Sequence, residues 1–388
     1  MDGGIIEPST AEKVVFLLRP ESYSEPVETV VPVETHMSWV FLAGEKAYKL
    51  KKPLRLAYLD FSTVEKREAA CRAEVALNRR LAAETYLSMI PLCMTPQGLA
   101  LGGAGPVVDW LVVMRKLDRN HMLDAMISVR RVDLNRISAL EDVLTRFYRR
   151  ARPVFTTPAK YLAKWQRLVR ANRTVLLNPR LKMPVGTVLR VDRAQQRFLD
   201  GFSHLIIRRL QRQKVVDGHG DLRPEHIWLG KPLSIIDCLE FNAEFRAVDP
   251  FDELSYLAIE CERLGDSETG IRILRKLARN LPDSMPPELM VFYRCYRAAL
   301  RANLSIAHLL EDAPRTPAKW RPLALRYLEI ARREALKLEG LLNRRANRPV
   351  ACSRAGDALH PRTVRPQGAR RFSAAGVHPS PGRWVRRP

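Results

Sequence analysis

The segment VVDGHGDLRPEHIWL, residues 215–229, gathers two histidines, three carboxylates and an arginine between apolar runs. Asp221 lies near its centre, and Asp237 ends the apolar run of the next segment, SIIDCLEFN. Charged side chains beside strand-like apolar sequence are costly unless they are solvated, paired or used in chemistry. If the apolar runs form short paired strands, the carboxylates at their ends can converge on one point.

Two convergent carboxylates can divide the work of phosphoryl transfer between them. One can accept a proton from a substrate hydroxyl group while the other holds a divalent cation. Such a cation bridges phosphate oxygens and neutralises the charge that develops during transfer. Because Asp is also a common turn former and helix cap, a structural role for Asp221 and Asp237 is the alternative.

The elements around these residues must form the loop that positions them. Gly218 and Gly220 flank His219 and allow tight or positive-φ backbone geometry. Asp221 is therefore predicted to lie on a loop between a preceding helix and a strand at HIWLG.

The first 118 residues are predicted to form a strand-rich lobe with one long helix. Strands are predicted at 27–35, 88–95 and 109–117, and a hairpin over 38–52. The helix is predicted over 60–81, where Ser62 and Glu65 form a capping box.

Residues 119–343 are predicted to form a larger, mainly helical lobe. Amphipathic helices are predicted at 133–151, 194–213, 252–265, 269–281, 287–310 and 322–342. Strands first and helices afterwards predict an α+β protein with two lobes. The pattern G-x-x-x-x-G-K-[ST] is absent from the sequence, which argues against a P-loop nucleotide site.

The chain of 388 residues carries a formal net charge of +23. Residues 344–388 contain eleven arginines, one acid and few large apolar side chains, so they are predicted to be a disordered basic tail. A basic body suits phosphate-bearing ligands, acidic partners or nucleic acid, and a solvated arginine-rich surface is the alternative. Nucleic-acid binding is expected only through the tail.

Six scattered cysteines without a C-x-x-C pair indicate a reducing compartment and mostly buried thiols. The first residues lack a basic region followed by an apolar core, and no apolar run approaches the roughly 18 residues of a membrane span. We expect a cytoplasmic protein without a membrane span. The sequence does not indicate its oligomeric state.

HGD, a possible metal ligand five positions later and an apolar run ending in IID resemble the catalytic region of kinase-like phosphotransferases. These include the aminoglycoside phosphotransferases and choline kinases. AYKLKKP, FSTVEKREAACRAEVALNRRL, HGDLRPEHI and IIDCLEFN together resemble a bacterial group of aminoglycoside-phosphotransferase-like proteins, some of which are fused to a P-loop ATPase domain. The resemblance implies a two-lobed, protein-kinase-like fold that binds ATP and Mg²⁺ and phosphorylates a hydroxyl group of a small molecule.

The resemblance also implies roles for individual residues. Asp221 would be the catalytic base, and Asp237 would bind Mg²⁺ on the ATP phosphates. Lys49 would contact the α- and β-phosphates, and Glu74 would pair with that lysine.

Further residues would complete the site. Met114 and Lys116 would belong to the strand that leads into the hinge beside adenine. Loop-bracing or substrate roles fall to His219, Arg223, Glu240, Asp249 and Asp252.

The sequence departs from the resemblance at three places. One is Arg223 with Pro224, which follow HGD where other members vary, so the acceptor pocket is not readable. His226 stands five positions after Asp221, where Asn usually binds a second metal. Because Mg²⁺ prefers oxygen, four alternatives are open: His226 reaches phosphate directly, the site uses a single metal, the site uses a metal other than Mg²⁺, or His226 is a structural residue bonded to the loop. HMS, residues 36–38, stands where a Gly-rich loop would be. Lys51 and Lys52 are expected to be a solvated strand end.

Two other functions remain open at this point. The departures motivate a catalytically impaired, pseudokinase-like scaffold that binds nucleotide. The positive charge motivates a basic nucleic-acid-binding protein.

Overall fold

A six-stranded antiparallel sheet forms the first part of the fold, in the order β1-β2-β3-β8-β6-β7. The computed structural model describes residues 7–56, 58–281 and 284–346. The strands of this part are β1 (Val30–Glu34), β2 (Ser38–Ala43), β3 (Lys46–Lys51), β4 (Arg55–Leu56), β5 (Leu59–Asp60), β6 (Tyr86–Thr95), β7 (Gly98–Leu101) and β8 (Val107–Arg115). The predicted strands and hairpin are confirmed, and β4 and β5 form a separate two-stranded ladder.

Two helices pack against the sheet, α1 (Thr10–Leu17) and α2 (Val64–Ala82). Strand β3 packs against both helices. Leu50 packs in a core with α1, whereas Ala47 packs in a second core with α2. Because side chains of a strand alternate between its two faces, Lys49 and Lys51 share the face of Ala47. That alternation places two lysines on the α2 side of the sheet.

Helix α2 begins one residue later than a cap at Ser62 requires. Its cap is Thr63, whose side chain accepts a hydrogen bond from the backbone N–H of Lys66 at 3.4 Å. The predicted capping box of Ser62 and Glu65 is wrong. The Ser62 hydroxyl donates instead to Asp60 Oδ1 at 2.6 Å, since an ionised carboxylate is a stronger acceptor than a neutral group.

The second part of the fold is mainly helical. Its helices are α3 (Leu123–Ser128), α4 (Leu134–Arg150), α5 (Pro158–Leu176), α6 (Val185–Gln211), α7 (Ala243–Arg246), α8 (Pro250–Leu264), α9 (Ser267–Asn280), α10 (Pro287–Ala307) and α11 (Pro317–Ala346). Its short strands are β9 (Val216–Asp217), β10 (Ile227–Trp228), β11 (Ser234–Ile235) and β12 (Ala247–Val248). Strands β10 and β11 pair antiparallel, as do β9 and β12. The predicted two-lobed α+β architecture is confirmed.

The core of the helical part is built on aromatic contacts between α5 and α10. The Trp165 ring centroid lies 5.3 Å from that of Phe292, 5.5 Å from that of Tyr293 and 4.9 Å from that of Tyr296. The sequence analysis predicts no helix at α5, although Thr157 caps it and proline opens it. Burial of Trp165 against α10 therefore stabilises a helix that the analysis missed.

Helix α11 ends at 346, so it includes the first residues of the predicted basic tail. The rest of that tail, residues 347–388, lies outside the described residues. Within the described part of the chain, no helix is both long and apolar enough to cross a membrane.

Candidate active site

Two loops of the helical part hold Asp221 and Asp237, and His219 joins them. The His219 Nε2 atom donates to the carbonyl oxygen of Ile236 at 2.8 Å. Its Nδ1 atom accepts from the backbone N–H of Asp221 at 3.3 Å. Burial, together with the nearby His226, lowers the pKa of His219 to about 3. The neutral imidazole can therefore donate on one side and accept on the other, which fixes the spacing of the two loops.

The Glu253 carboxylate braces the loop of Asp221 by hydrogen bonds to its backbone. Its carboxylate accepts from the backbone N–H groups of His219, at 3.1 Å, and of Gly220, and from the Tyr148 hydroxyl at 2.7 Å. A Cβ atom on Gly218 would lie 2.8 Å from Glu253 Oε2, so glycine allows this close approach. Glu253 is a functional residue that the sequence analysis missed.

Asp249 and Asp252 hold helices together. Asp249 accepts from Arg209 Nη2 at 2.9 Å, and Asp252 accepts from Arg297 Nε at 2.7 Å. Both side chains are buried, and neither is among the residues that line the cleft. Glu253 braces the loop directly, and a loop-bracing or substrate role for Asp249 and Asp252 stays a prediction.

The carboxylate of Asp221 is held on both of its oxygens. The Tyr256 hydroxyl donates to Oδ1 at 3.1 Å, and Arg223 Nε donates to Oδ2 at 3.1 Å. Burial favours the neutral acid, but Arg223 and His226 outweigh it and lower the pKa of Asp221 below its usual value. Asp221 is therefore ionised and can accept a proton.

Lys49 bridges the two lobes. Its Nζ atom donates to Glu74 Oε1 on α2 at 2.8 Å and to Asp237 Oδ1 at 2.9 Å. Burial alone would lower the pKa of Lys49, but Asp237 and Glu74 raise it well above the usual value. The lysine is therefore charged.

Asp237 combines backbone strain with access to the cleft. Its φ angle is +60°, a left-handed value that is uncommon for a residue other than glycine. Its side chain is 42% exposed, and its backbone N–H donates to the Tyr86 hydroxyl at 3.2 Å. Strained residues of this kind cluster at functional sites, where the surrounding structure holds them in place.

Lys51 is buried, and the expectation that it is a solvated strand end is wrong. Its side chain is only 1% exposed and donates to Glu74 on one side and to Glu240 on the other. Burial opposes its charge, but Glu74 and Glu240 raise the pKa of Lys51. Glu240 therefore ties the loop of Asp237 to strand β3. Lys52 also departs from the expectation, because it pairs with Glu34.

His226 lies between the two aspartates. Its Nδ1 atom is 2.9 Å from the carbonyl oxygen of Asp221, so Nδ1 carries the proton. The Nε2 lone pair accepts from Arg223 Nη2 at 2.9 Å and lies 3.8 Å from Asp237 Oδ2. The imidazole therefore has a structural hydrogen bond on one nitrogen and faces the cleft with the other.

The end of helix α2 contacts both loops. Asn78 Oδ1 accepts from the backbone N–H of Cys238 at 2.9 Å. Arg80 Nη1 and Nη2 donate to the carbonyl oxygens of Asp217 and Gly218 at 3.0 and 2.8 Å. The helix that carries Glu74 therefore also positions the loops of Asp221 and Asp237.

The cleft between the lobes has a volume of about 590 Å³. Apolar side chains line part of it, namely Val40, Leu42, Ala47, Met114, Met122 and Ile236. Arg115 also lines it, and its Nε and Nη2 atoms are buried without a hydrogen-bond partner among the described residues. The Lys116 side chain is exposed and does not line the cleft, and its backbone N–H donates to the Glu45 carbonyl oxygen. The cleft thus contains an apolar slot.

A preformed metal cage is absent from the described residues, which contain no group of three or more His, Cys, Asp or Glu suited to an ion. Asp237 supplies a carboxylate, whereas the Nε2 lone pair of His226 already accepts from Arg223. Mg²⁺ is commonly bound through one or two carboxylates plus substrate phosphates. Asp237 therefore fits a cation that arrives with phosphate, and His226 could ligate that cation only by giving up its hydrogen bond from Arg223.

No family model matches the chain. Uncharacterized proteins of Mycobacterium tuberculosis and Mycobacterium bovis are 35% identical to it over 303 residues, which cover 77% of this chain and 58% of theirs. The chain therefore spans little more than half the length of the curated relatives that it matches.

Solved structures similar to this chain include phosphotransferases of two kinds. The GDP complex of aminoglycoside 2'-phosphotransferase-IIIa is 13% identical, with a TM-score of 0.46 over 84% of this chain and 99% of that one. Choline kinase from Cryptosporidium parvum is 10% identical, with a TM-score of 0.47 over 86% and 97%.

Proposed function

We propose that this protein transfers the γ-phosphoryl group of ATP to a hydroxyl group of a small-molecule acceptor, with Mg²⁺ as the metal. The observation that carries the proposal is that Lys49, Asp221 and Asp237 line one cleft. Phosphoryl transfer needs positioning and charge stabilisation more than covalent chemistry from the protein. Lys49 would pair with phosphate, Asp237 would bind the metal, and Asp221 would accept the proton. Together they would meet that need.

The nucleotide would lie with its base in the apolar slot and its phosphates beside Lys49. The fixed lysine supports this placement, because Glu74 holds it from the α2 side. A Mg²⁺ ion held by Asp237 would neutralise charge on the phosphate oxygens.

Asp221 would orient the acceptor and receive its proton. As the acceptor oxygen bonds to the γ-phosphorus, the bond from that phosphorus to the bridging oxygen breaks and ADP leaves. The hydroxyl proton passes to the Asp221 carboxylate. Its lowered pKa makes it a weak base, which suits a loose transition state in which the hydroxyl group stays protonated until late.

A nucleotide-binding scaffold without turnover is the second candidate. It is favoured by the contacts of Tyr256 and Arg223 with both oxygens of Asp221, and by His226 at the position of a second metal ligand. An acceptor hydroxyl group must displace one of those contacts before Asp221 can receive its proton. Nucleic-acid binding remains a prediction about residues outside the described part of the chain.

Nucleotide affinity and ATP turnover, measured on the same variants, separate these functions. We expect Lys49→Met to weaken binding of a fluorescent ATP analogue, because it removes the cation for phosphate. We expect Asp221→Asn to keep that affinity and to lower ATP turnover about 100-fold or more. Asp142→Asn is the matched control, because Asp142 is exposed on α4 and lines neither the cleft nor its loops.

Two outcomes would decide between the candidate functions. ATP turnover that stays at the background rate for both the wild type and Asp221→Asn, with nucleotide bound to both, would establish the scaffold. Failure of the wild type to bind nucleotide at all would reject both candidates.

A further inference from the structure

A second hollow of about 730 Å³ lies beside the nucleotide cleft. We call it the outer hollow. His36, Arg223 and Glu225 line both spaces, so the two meet at these residues. Arg223 is also the side chain that donates to Asp221. The outer hollow therefore borders the cleft next to the proposed base.

Positive charge dominates the outer hollow. Its cationic side chains are Arg223, Arg263, Arg301, Lys319 and Arg326. Among the described residues, two carboxylates line it, and both have partners already. Arg263 Nη2 donates to Glu225 Oε1 at 2.7 Å, and His308 Nδ1 lies 2.7 Å from Glu311 Oε1. Asp221 pairs with Arg223, and buried Glu260 pairs with Arg263 and Arg301. The cations of the outer hollow that have no carboxylate partner among the described residues are therefore Lys319 and Arg326.

Buried Glu260 anchors two of these arginines. It accepts from Arg263 Nε at 2.9 Å and from Arg301 Nε at 2.6 Å. Neither Nη1 atom of the two guanidinium groups has a hydrogen-bond partner among the described residues. Glu260 fixes the Nε end of each guanidinium group, which reduces the side-chain entropy that would be lost on binding a ligand. The free Nη1 atoms are therefore preorganised donors.

Two other cations are free of ion pairs. Arg326 and Lys319 are exposed side chains of α11, and neither forms a salt bridge within the part of the chain that the structure describes. The Trp320 ring does not offer an open aromatic cage for a cationic ligand. His308 stacks on it at 4.0 Å, and Lys319 lies 5.0 Å from its centroid.

We propose that the acceptor in the outer hollow carries a phosphate or carboxylate group in addition to its hydroxyl group. Guanidinium groups bind both anions through paired, charge-assisted hydrogen bonds. A cationic acceptor would face like charges, which oppose binding. The inference rests on the proposed phosphotransferase function, because that function makes the space beside Asp221 an acceptor site.

A set of four compounds on one three-carbon frame tests the charge preference. The full chain is first saturated with a non-hydrolysable ATP analogue and Mg²⁺, so that phosphate positions in the cleft are filled. Glycerol 3-phosphate, glycerate, glycerol and 3-aminopropane-1,2-diol are then titrated by calorimetry. We expect at least one anion to bind about tenfold or more tightly than the neutral and cationic compounds, as a charge-assisted hydrogen bond allows. The phosphate and carboxylate arms show which anion is preferred.

Two variants test whether anion binding depends on the outer hollow. Arg326→Glu should weaken anion binding about tenfold or more, because it reverses a charge that stabilises no other described residue. Arg275→Glu is the control, because Arg275 is exposed on α9 and lines neither space.

Three results overturn the inference: equal binding of all four compounds, no binding of either anion, or tightest binding of the amine. Equal anion affinity of Arg326→Glu and Arg275→Glu also overturns it. If the ATP analogue itself fails to bind, the proposed function fails first, and that result is distinct.

Discussion

Replacing Lys51 by methionine tests the charge network beneath the cleft. Methionine is similar in length to lysine and apolar, so the change removes the charge and keeps most of the packing. Lys51 is 1% exposed and donates to both Glu74 and Glu240, whose side chains are 1% and 10% exposed. After the substitution, Glu240 has no cation, and Glu74 keeps only Lys49.

The magnitude follows from this burial. Removing one partner of a buried ion pair leaves an uncompensated charge and typically costs about 3 to 5 kcal/mol. A solvated strand-end lysine would cost less than about 0.5 kcal/mol. The two readings therefore differ by several kcal/mol of unfolding free energy.

Urea unfolding monitored by tryptophan fluorescence measures the difference. Lys46→Met is the matched control on the same strand, since its pair with Glu25 is much more exposed and is worth less than about 1 kcal/mol. The double variant Lys51→Met/Glu240→Gln should lose less than the sum of the two single losses, because Glu240 is then no longer an unpaired charge. A loss for Lys51→Met no larger than that of Lys46→Met would refute the buried network.

Two further predictions concern the loop of Asp221. Glu253→Ala leaves the N–H groups of His219 and Gly220 and the Tyr148 hydroxyl without their acceptor. It should lower the free energy of unfolding by about 2 to 4 kcal/mol and reduce turnover more than nucleotide affinity; unchanged urea unfolding would contradict the brace. The pKa of His219 is about 3 when folded but about 6.5 when unfolded, so the unfolded chain takes up its proton first. Stability should therefore fall as pH decreases from about 6.5 towards 3, by up to about 1.4 kcal/mol per pH unit from this group. His219→Asn should remove that part of the slope between pH 6 and 4, and equal slopes for both proteins would argue against a buried neutral imidazole.

The contacts of the site explain how one helix can serve both lobes. Helix α2 carries Glu74 beside Lys49, and its next turn carries Asn78 and Arg80 towards the two loops. A shift of α2 would therefore move the lysine partner and the loop of Asp237 together. This is the physical reason why the positions of Lys49, Asp221 and Asp237 depend on one another.

Much of the site was readable in local sequence. HGD and IID pointed to Asp221 and Asp237, and strand and helix patterns placed Lys49 and Glu74 in their elements before any contact was known. The alternation of side chains along β3 gives a further prediction from the sequence alone. It puts Lys51 on the same face as Lys49, which argues against a solvated strand end.

Local sequence determined most element types, the two-lobed order and the residues at the ends of short strands, because each depends on neighbours within a few positions; helix α5 is the exception. Tertiary structure decided which charges meet. Lys51 and Glu240 are 189 positions apart, and the partner of His219 N–H is Glu253, not the nearby Asp249 or Asp252. The outer hollow depends likewise on α8, α10 and α11 meeting beside Arg223. Long-range ion pairs and concave surfaces arise only when distant elements pack, so no local pattern could specify them.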